Sequence, residues 1–135
     1  MADHAYTATD THRNGSTSFP SVAAESPEGI YQFAGLYDAL SACAEFCLGM
    51  LGQPRFETDG ELNAAGSYID NLADALRSER DLLVGKIQNF EPATAEEADL
   101  QYRLLIRFEA EGGDLDFGRL TELLRRGQAT IASAS

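Results

Sequence analysis

"ELNAAGSYIDNLADALRSERDLLVGKIQNF", residues 61–90, decides the fold of this chain. Within it Leu62, Ile69, Leu76, Leu83 and Phe90 recur at seven-residue steps, with Leu72 and Ile87 beside them. A seven-residue apolar repeat is a seam for lengthwise helix packing. A helix of this length spans roughly 45 Å at 1.5 Å per residue, so it needs a long partner. The segment just upstream supplies one. Residues 27–51 carry Phe33, Leu36, Leu40, Leu48 and Leu51 on one side, and the two segments are expected to form an antiparallel hairpin.

Local signals set the expected boundaries. Ser26 reads as an N-cap, Pro27 as the first helical position and Glu28 as an acid at the positive end of the dipole. "GQPRF" ends this first helix. Thr58 and Glu61 in "TDGE" read as a capping box that opens the second helix. Pro92 stops it near Phe90, because an interior proline loses a hydrogen bond and clashes with the preceding turn. Thr94 and Glu97 form a second capping box, and the third helix runs to about Ala110 before Gly112-Gly113. Asp114 or Asp116 caps a fourth helix that reaches about Ile131. Four glycines, Gly35, Gly49, Gly66 and Gly85, fall inside the first two helices. Each weakens a helix by about 1 kcal/mol relative to alanine; close helix approach, or a bend at Gly85, would compensate.

The third helix has the widest apolar surface. Leu100, Leu104 and Phe108 share one side, and Tyr102, Leu105 and Ile106 cover the adjoining arc. Such a helix is either central in its own fold or shared with a second chain. Few helices of a four-helix protein can be central, so Tyr102, Leu105 and Ile106 are expected to anchor a homodimer interface. The fourth helix has a single stripe, Phe117, Leu120, Leu123, Leu124 and Ile131. Asp99–Arg103 and Glu122–Arg126 read as surface pairs four residues apart.

The expected architecture is therefore all-α, with residues 1–25 a flexible tail and residues 26–135 one helical domain. The net charge of −12, from 22 acids and 10 bases, disfavours direct binding to nucleic acid and favours a basic protein partner. The start of the chain has no basic run followed by an apolar stretch, so the protein is expected in the cytoplasm. The most apolar window, residues 30–51, holds Asp38 and Glu45 and reads as a buried helix rather than a membrane span.

Few residues look reactive. Cys43 and Cys47 lie four apart, and helical Cβ atoms at that spacing are about 5–6 Å apart, too far for a disulfide. Both histidines, His4 and His12, lie in the tail, so the pair lacks companion metal ligands. The cysteines read as core packing. Arg80 sits on the apolar face of the second helix, between Leu76 and Leu83. It needs water, an acid such as Glu45 or Glu109, or an anionic ligand. No catalytic constellation, cofactor motif or metal motif stands out. The leading functional reading is a non-enzymatic, homodimeric interaction or regulatory module that binds another protein. The alternatives are a bundle that binds a small molecule in a pocket of Cys43, Cys47 and Arg80, and an acidic inhibitor that occupies a basic nucleic-acid-binding site.

Overall fold

The computed structural model describes Ser21 and residues 27–135. The remainder of the expected tail, with His4 and His12, and the Ser26 cap lie outside the described residues. The elements are α1 (Ile30–Leu51), a 3-10 turn at Pro54–Phe56, β1 (Glu57–Thr58), β2 (Glu61–Leu62), α2 (Ala64–Gln88), α3 (Ala95–Glu111) and α4 (Phe117–Ala134). The fold is all-α, with four helices among the described residues and one minimal hairpin.

α1 and α2 run antiparallel, but the buried stripe of α1 is Ile30, Phe33, Tyr37, Ser41, Ala44 and Cys47; of the expected side only Phe33 is buried, and Leu36, Leu40, Leu48 and Leu51 are half-buried. Ile30, Phe33 and Tyr37 pack with Leu83, Val84 and Ile87, while Ala44 and Cys47 pack with Ala73 and Leu76. Moving forward along α1 means moving backward along α2. The first section uses large side chains and admits Leu104 and Leu105 of α3. The second has Leu40, Leu48, Ile69 and Leu72 packed around its buried residues and draws on α1 and α2 alone, so there the core is two helices thick. Phe90, just past the end of α2, packs edge-on against Phe33 with ring centroids 6.1 Å apart.

α3 lies between this hairpin and α4. On the hairpin side Gln101, 4% exposed, donates from Nε2 to the carbonyls of Ile87 (2.7 Å) and Phe90 (2.8 Å). The Ile87 carbonyl also accepts from the Phe90 N–H at 3.3 Å, so Gln101 adds a second bond there and gives the Phe90 carbonyl a partner just past the end of α2. On the other side Tyr102 lies against Gly127 of α4, where a Cβ would come within 2.9 Å of the Tyr102 Cγ. Glu109 of α3 also pairs with Arg119 of α4 at 2.9 Å. The two apolar sides of α3 thus both find partners inside one chain.

Two expected helix starts shift. α1 begins at Ile30 rather than Pro27, because Gly29 takes the capping position at φ 84°, a left-handed conformation that glycine adopts readily. The backbone N–H of Glu28 then donates to the Gln32 side chain at 2.8 Å. The Thr58–Glu61 capping box does not form. Glu57 pairs with Leu62 and Thr58 with Glu61 across a two-residue turn, Asp59 at φ 55° and Gly60 at φ 83°. Two successive positive φ angles are what a tight hairpin of Asp-Gly requires. α2 is capped by Asn63, whose side chain accepts from the Gly66 N–H at 2.9 Å and donates to the Arg55 carbonyl at 2.9 Å. The other caps form as read. Thr94 accepts from the Glu97 N–H at 3.2 Å, and Asp116 accepts from the Arg119 N–H at 3.0 Å. The Glu97 carboxylate reaches one residue further back than a capping box requires, to the Ala93 N–H at 2.7 Å.

Of the four helical glycines, Gly66 alone meets a close neighbour: a Cβ there would strike the Phe56 carbonyl oxygen and approach Leu62 Cδ2 to 3.1 Å. At Gly35, Gly49 and Gly85 a Cβ would meet nothing within 4 Å. Gly66→Ala should therefore lower stability by roughly 1–3 kcal/mol through overpacking. Gly85→Ala should raise it by about 0.5–1 kcal/mol through helix propensity. Urea midpoints of the two variants check this, and equal shifts of one sign would refute the assignment.

Candidate functional site

Polar chemistry gathers where the middle of α1 meets the end of α3. Tyr37 is fully buried, and its hydroxyl donates to Glu111 Oε2 at 2.8 Å. Arg107 Nε donates to Glu111 Oε1 at 2.7 Å, and Arg107 Nη1 to Asp38 Oδ1 at 2.6 Å. The Arg107 guanidinium also lies 5.1 Å from the centre of the Tyr37 ring. One turn of α3 is thus tied to α1 by a phenol, two carboxylates and a guanidinium.

Charges here follow from that geometry. Burial, then the hydrogen bond to Glu111 and the charge of its carboxylate, push the Tyr37 phenol well above its ordinary value. Burial alone would raise Glu111, but the hydrogen bonds from Arg107 and Tyr37 and the positive charges of Arg107 and Arg80 outweigh it. Glu111 is left below the usual carboxylate range. The hydrogen bonds to Glu111 and Asp38 hold Arg107 firmly protonated.

Beside this network opens a cleft of about 380 Å³, lined by Ser41, Ala44 and Glu45 of α1, Arg77 and Arg80 of α2, and Glu111 with Gly112 at the end of α3. Arg80 lies under it with its side chain 21% exposed. Its guanidinium is 6.0 Å from the Tyr37 ring centre and 5.6 Å from that of Phe108, so two aromatic faces hold it. Arg80 Nε is buried without a hydrogen-bond partner, and so is Ser41 Oγ. The Asp81 carboxylate stands 3.6 Å from Arg80 Nε, close enough for Coulomb attraction but too far for a hydrogen bond.

The expected pocket of Cys43, Cys47 and Arg80 does not assemble. Cys47 is buried in the core section with Ala73, Cys43 is exposed, and neither lines the cleft. Two residues four apart are offset by about 40° around a helix, and the edge of the buried stripe falls between them. Arg80 does face a cleft, but neither acid proposed to pair with it does so: Glu109 is bound to Arg119, and Glu45 is only a fellow wall residue. The expected interface residues on α3 are largely used within the chain. Leu105 is 7% exposed in the core, Tyr102 packs on Gly127, and Ile106 is half-buried. Of the two surface pairs, Asp99–Arg103 forms at 2.8 Å, whereas Glu122 turns to Arg125, three residues on.

A second feature was not anticipated. The side of α1 away from α2 is exposed along its length: Tyr31 is 64% and Phe46 69% exposed, with Gly35, Ala39, Ala42, Cys43 and Gly49 exposed between and beyond them. Among the described residues no three His, Cys, Asp or Glu side chains converge as a possible metal site. No family model, curated protein or solved structure matches the chain.

Glu111 makes a pH prediction. Its pKa is lower folded than unfolded, so its contribution to stability is fully present above the ordinary carboxylate value of 4.5. That contribution disappears as pH falls through the depressed folded value. Glu111→Gln should be less stable than the parent near neutrality, and the difference should shrink steadily below about pH 4.5. Urea midpoints from pH 7 to pH 3 would show it; parallel curves would contradict it.

Proposed function

We propose that the chain is a non-enzymatic interaction module that pairs with a second copy of itself through the outer face of α1. The observation that carries this reading is the exposed aromatic pair, Tyr31 and Phe46, with small residues between and beside them. Glycine within an exposed helix lowers stability by about 1 kcal/mol, and neither Gly35 nor Gly49 accommodates a neighbour within the chain. Close approach by an outside helix gives both a purpose.

The face also fits itself. When two α1 helices pack antiparallel about a two-fold axis at Leu40 and Ser41, Phe46 of each falls opposite Gly35 of the other. Ala39 then meets Ala42, and Tyr31 meets Met50. Phe46 thus faces Gly35 in both directions, as an isologous interface requires. One helix face is smaller than the roughly 800 Å² per partner of a standard interface, so the pairing is expected to be reversible.

Charge separates this reading from capture of a basic partner. Two copies, each with a net charge of −12, repel one another. Screening relieves that repulsion, whereas it weakens attraction to a basic protein. Sedimentation velocity at tens to hundreds of micromolar should therefore show a dimer fraction that grows with added salt. Phe46→Ala and Gly35→Leu should each reduce it without loss of helical circular dichroism. A chain that stays monomeric throughout, or a dimer indifferent to both substitutions, would rule the interface out.

A further inference from the structure

We propose that the cleft between α1, α2 and the end of α3 binds a small, singly charged organic carboxylate, held by Arg80 and the Ser41 hydroxyl. The inference is independent of self-association, because the outer face of α1 contributes nothing to the cleft.

Ser41 is the first ground. It is 4% exposed in the interior of α1, and its Oγ has no hydrogen-bond partner. A serine or threonine in a helix ordinarily returns its hydroxyl to the carbonyl four residues back. In α4 this happens repeatedly: Thr121 donates to Phe117 at 2.7 Å, Thr130 to Arg126 at 2.9 Å and Ser133 to Ala129 at 2.9 Å. Ser41 does not do so and lines the cleft instead. A buried hydroxyl left unsatisfied costs about 1–3 kcal/mol, which a ligand oxygen at this wall would offset.

Arg80 is the second. Its Nε is also buried without a hydrogen bond, the Asp81 carboxylate standing 3.6 Å away, and its guanidinium lies over the rings of Tyr37 and Phe108. An oriented guanidinium with free donors matches the two coplanar oxygens of a carboxylate. Arg77, at the rim with its side chain 46% exposed and paired at 3.8 Å with the exposed Asp74, is a second guanidinium in the lining. The acids on the walls set the charge of the ligand. Glu111 has both oxygens engaged, by Tyr37 and Arg107, while Glu45 remains an exposed carboxylate. A doubly charged phosphate would meet more repulsion from these acids than a monoanion. The volume, about 380 Å³, admits a molecule of a few carbon atoms.

The test uses the full chain with butyrate, butyramide and inorganic phosphate at matched ionic strength, followed by amide chemical-shift titration. Butyrate should saturate, with shifts centred on residues 41–45, 77–80 and 111–112. Butyramide, which lacks the charge, should bind at least tenfold more weakly. Ser41→Ala should weaken butyrate by about tenfold while leaving thermal stability equal or higher, since it removes an unsatisfied hydroxyl and favours the helix. A merely structural serine would show the opposite pattern. Arg80→Gln should abolish saturation, and Arg125→Gln, on the exposed face of α4, should leave it unchanged. Equal binding of butyrate and butyramide, tighter binding of phosphate than butyrate, or no saturable shifts at the cleft would each overturn the proposal. So would a Ser41→Ala chain that loses stability and binds butyrate as before.

Discussion

The hydroxyl of Tyr37 constrains the rest of the structure. A phenol with no exposed surface must find an acceptor inside the protein, and Glu111 supplies it at 2.8 Å. Glu111 sits in the last turn of α3, so this bond sets which turn of α3 lies over α1. Gln101 does the same work nearer the start of α3, where it binds the carbonyls that end α2. Apolar contacts are non-directional and tolerate small slips. Two buried polar ties on one helix do not, because a slip would leave an acceptor or donor unsatisfied at each. The register of α3 therefore rests on hydrogen bonds, while its attachment rests on Leu104 and Leu105.

This placement also explains why α3 is apolar on two sides. A helix held against a hairpin on one side and against α4 on the other needs the same wide arc as a helix shared between chains. The discriminating residue is Gly127, far along the sequence, whose missing side chain makes room for Tyr102. Nothing in residues 95–111 announces that space. The sequence establishes that the arc must be covered but not by which helix, since long-range complementarity between one aromatic and one glycine is invisible to periodicity.

Where local chemistry decided, the sequence was legible. The seam of α2 forms at Ile69, Leu76 and Leu83, though Leu62 falls in β2 and is exposed, and the Thr94 and Asp116 caps and the stop before Pro92 form. "TDGE" misled because two local rules compete there. Thr and Glu three apart fit a capping box, but Asp-Gly between two short extended segments fits a tight hairpin, and Asn63 offers a better cap two residues beyond Glu61. The candidate site was half legible. Arg80 stood out as a charge on an apolar face, while Ser41 did not, since a serine in a helix normally bonds its own backbone. The outer face of α1 was hidden for another reason. Glycine, alanine and cysteine count as apolar wherever they point, so composition made residues 30–51 look buried all round.

One helix consequently carries three different faces. Tyr37, Ala44 and Cys47 bury it in the core, Ser41 gives it a polar wall, and Tyr31 and Phe46 stand in solvent on the far side. The three are compatible because the buried stripe of α1 is narrow. At the cleft end the buried residues of α1 are the small Ala44 and Cys47, set against Ala73 and Leu76 of α2, so the core contact covers little of the circumference of α1. A larger side chain at Ala44, which belongs to both the core contact and the cleft wall, would intrude on the space beside Arg80. The small side chain of Ala44 thus serves the cleft as well as the core.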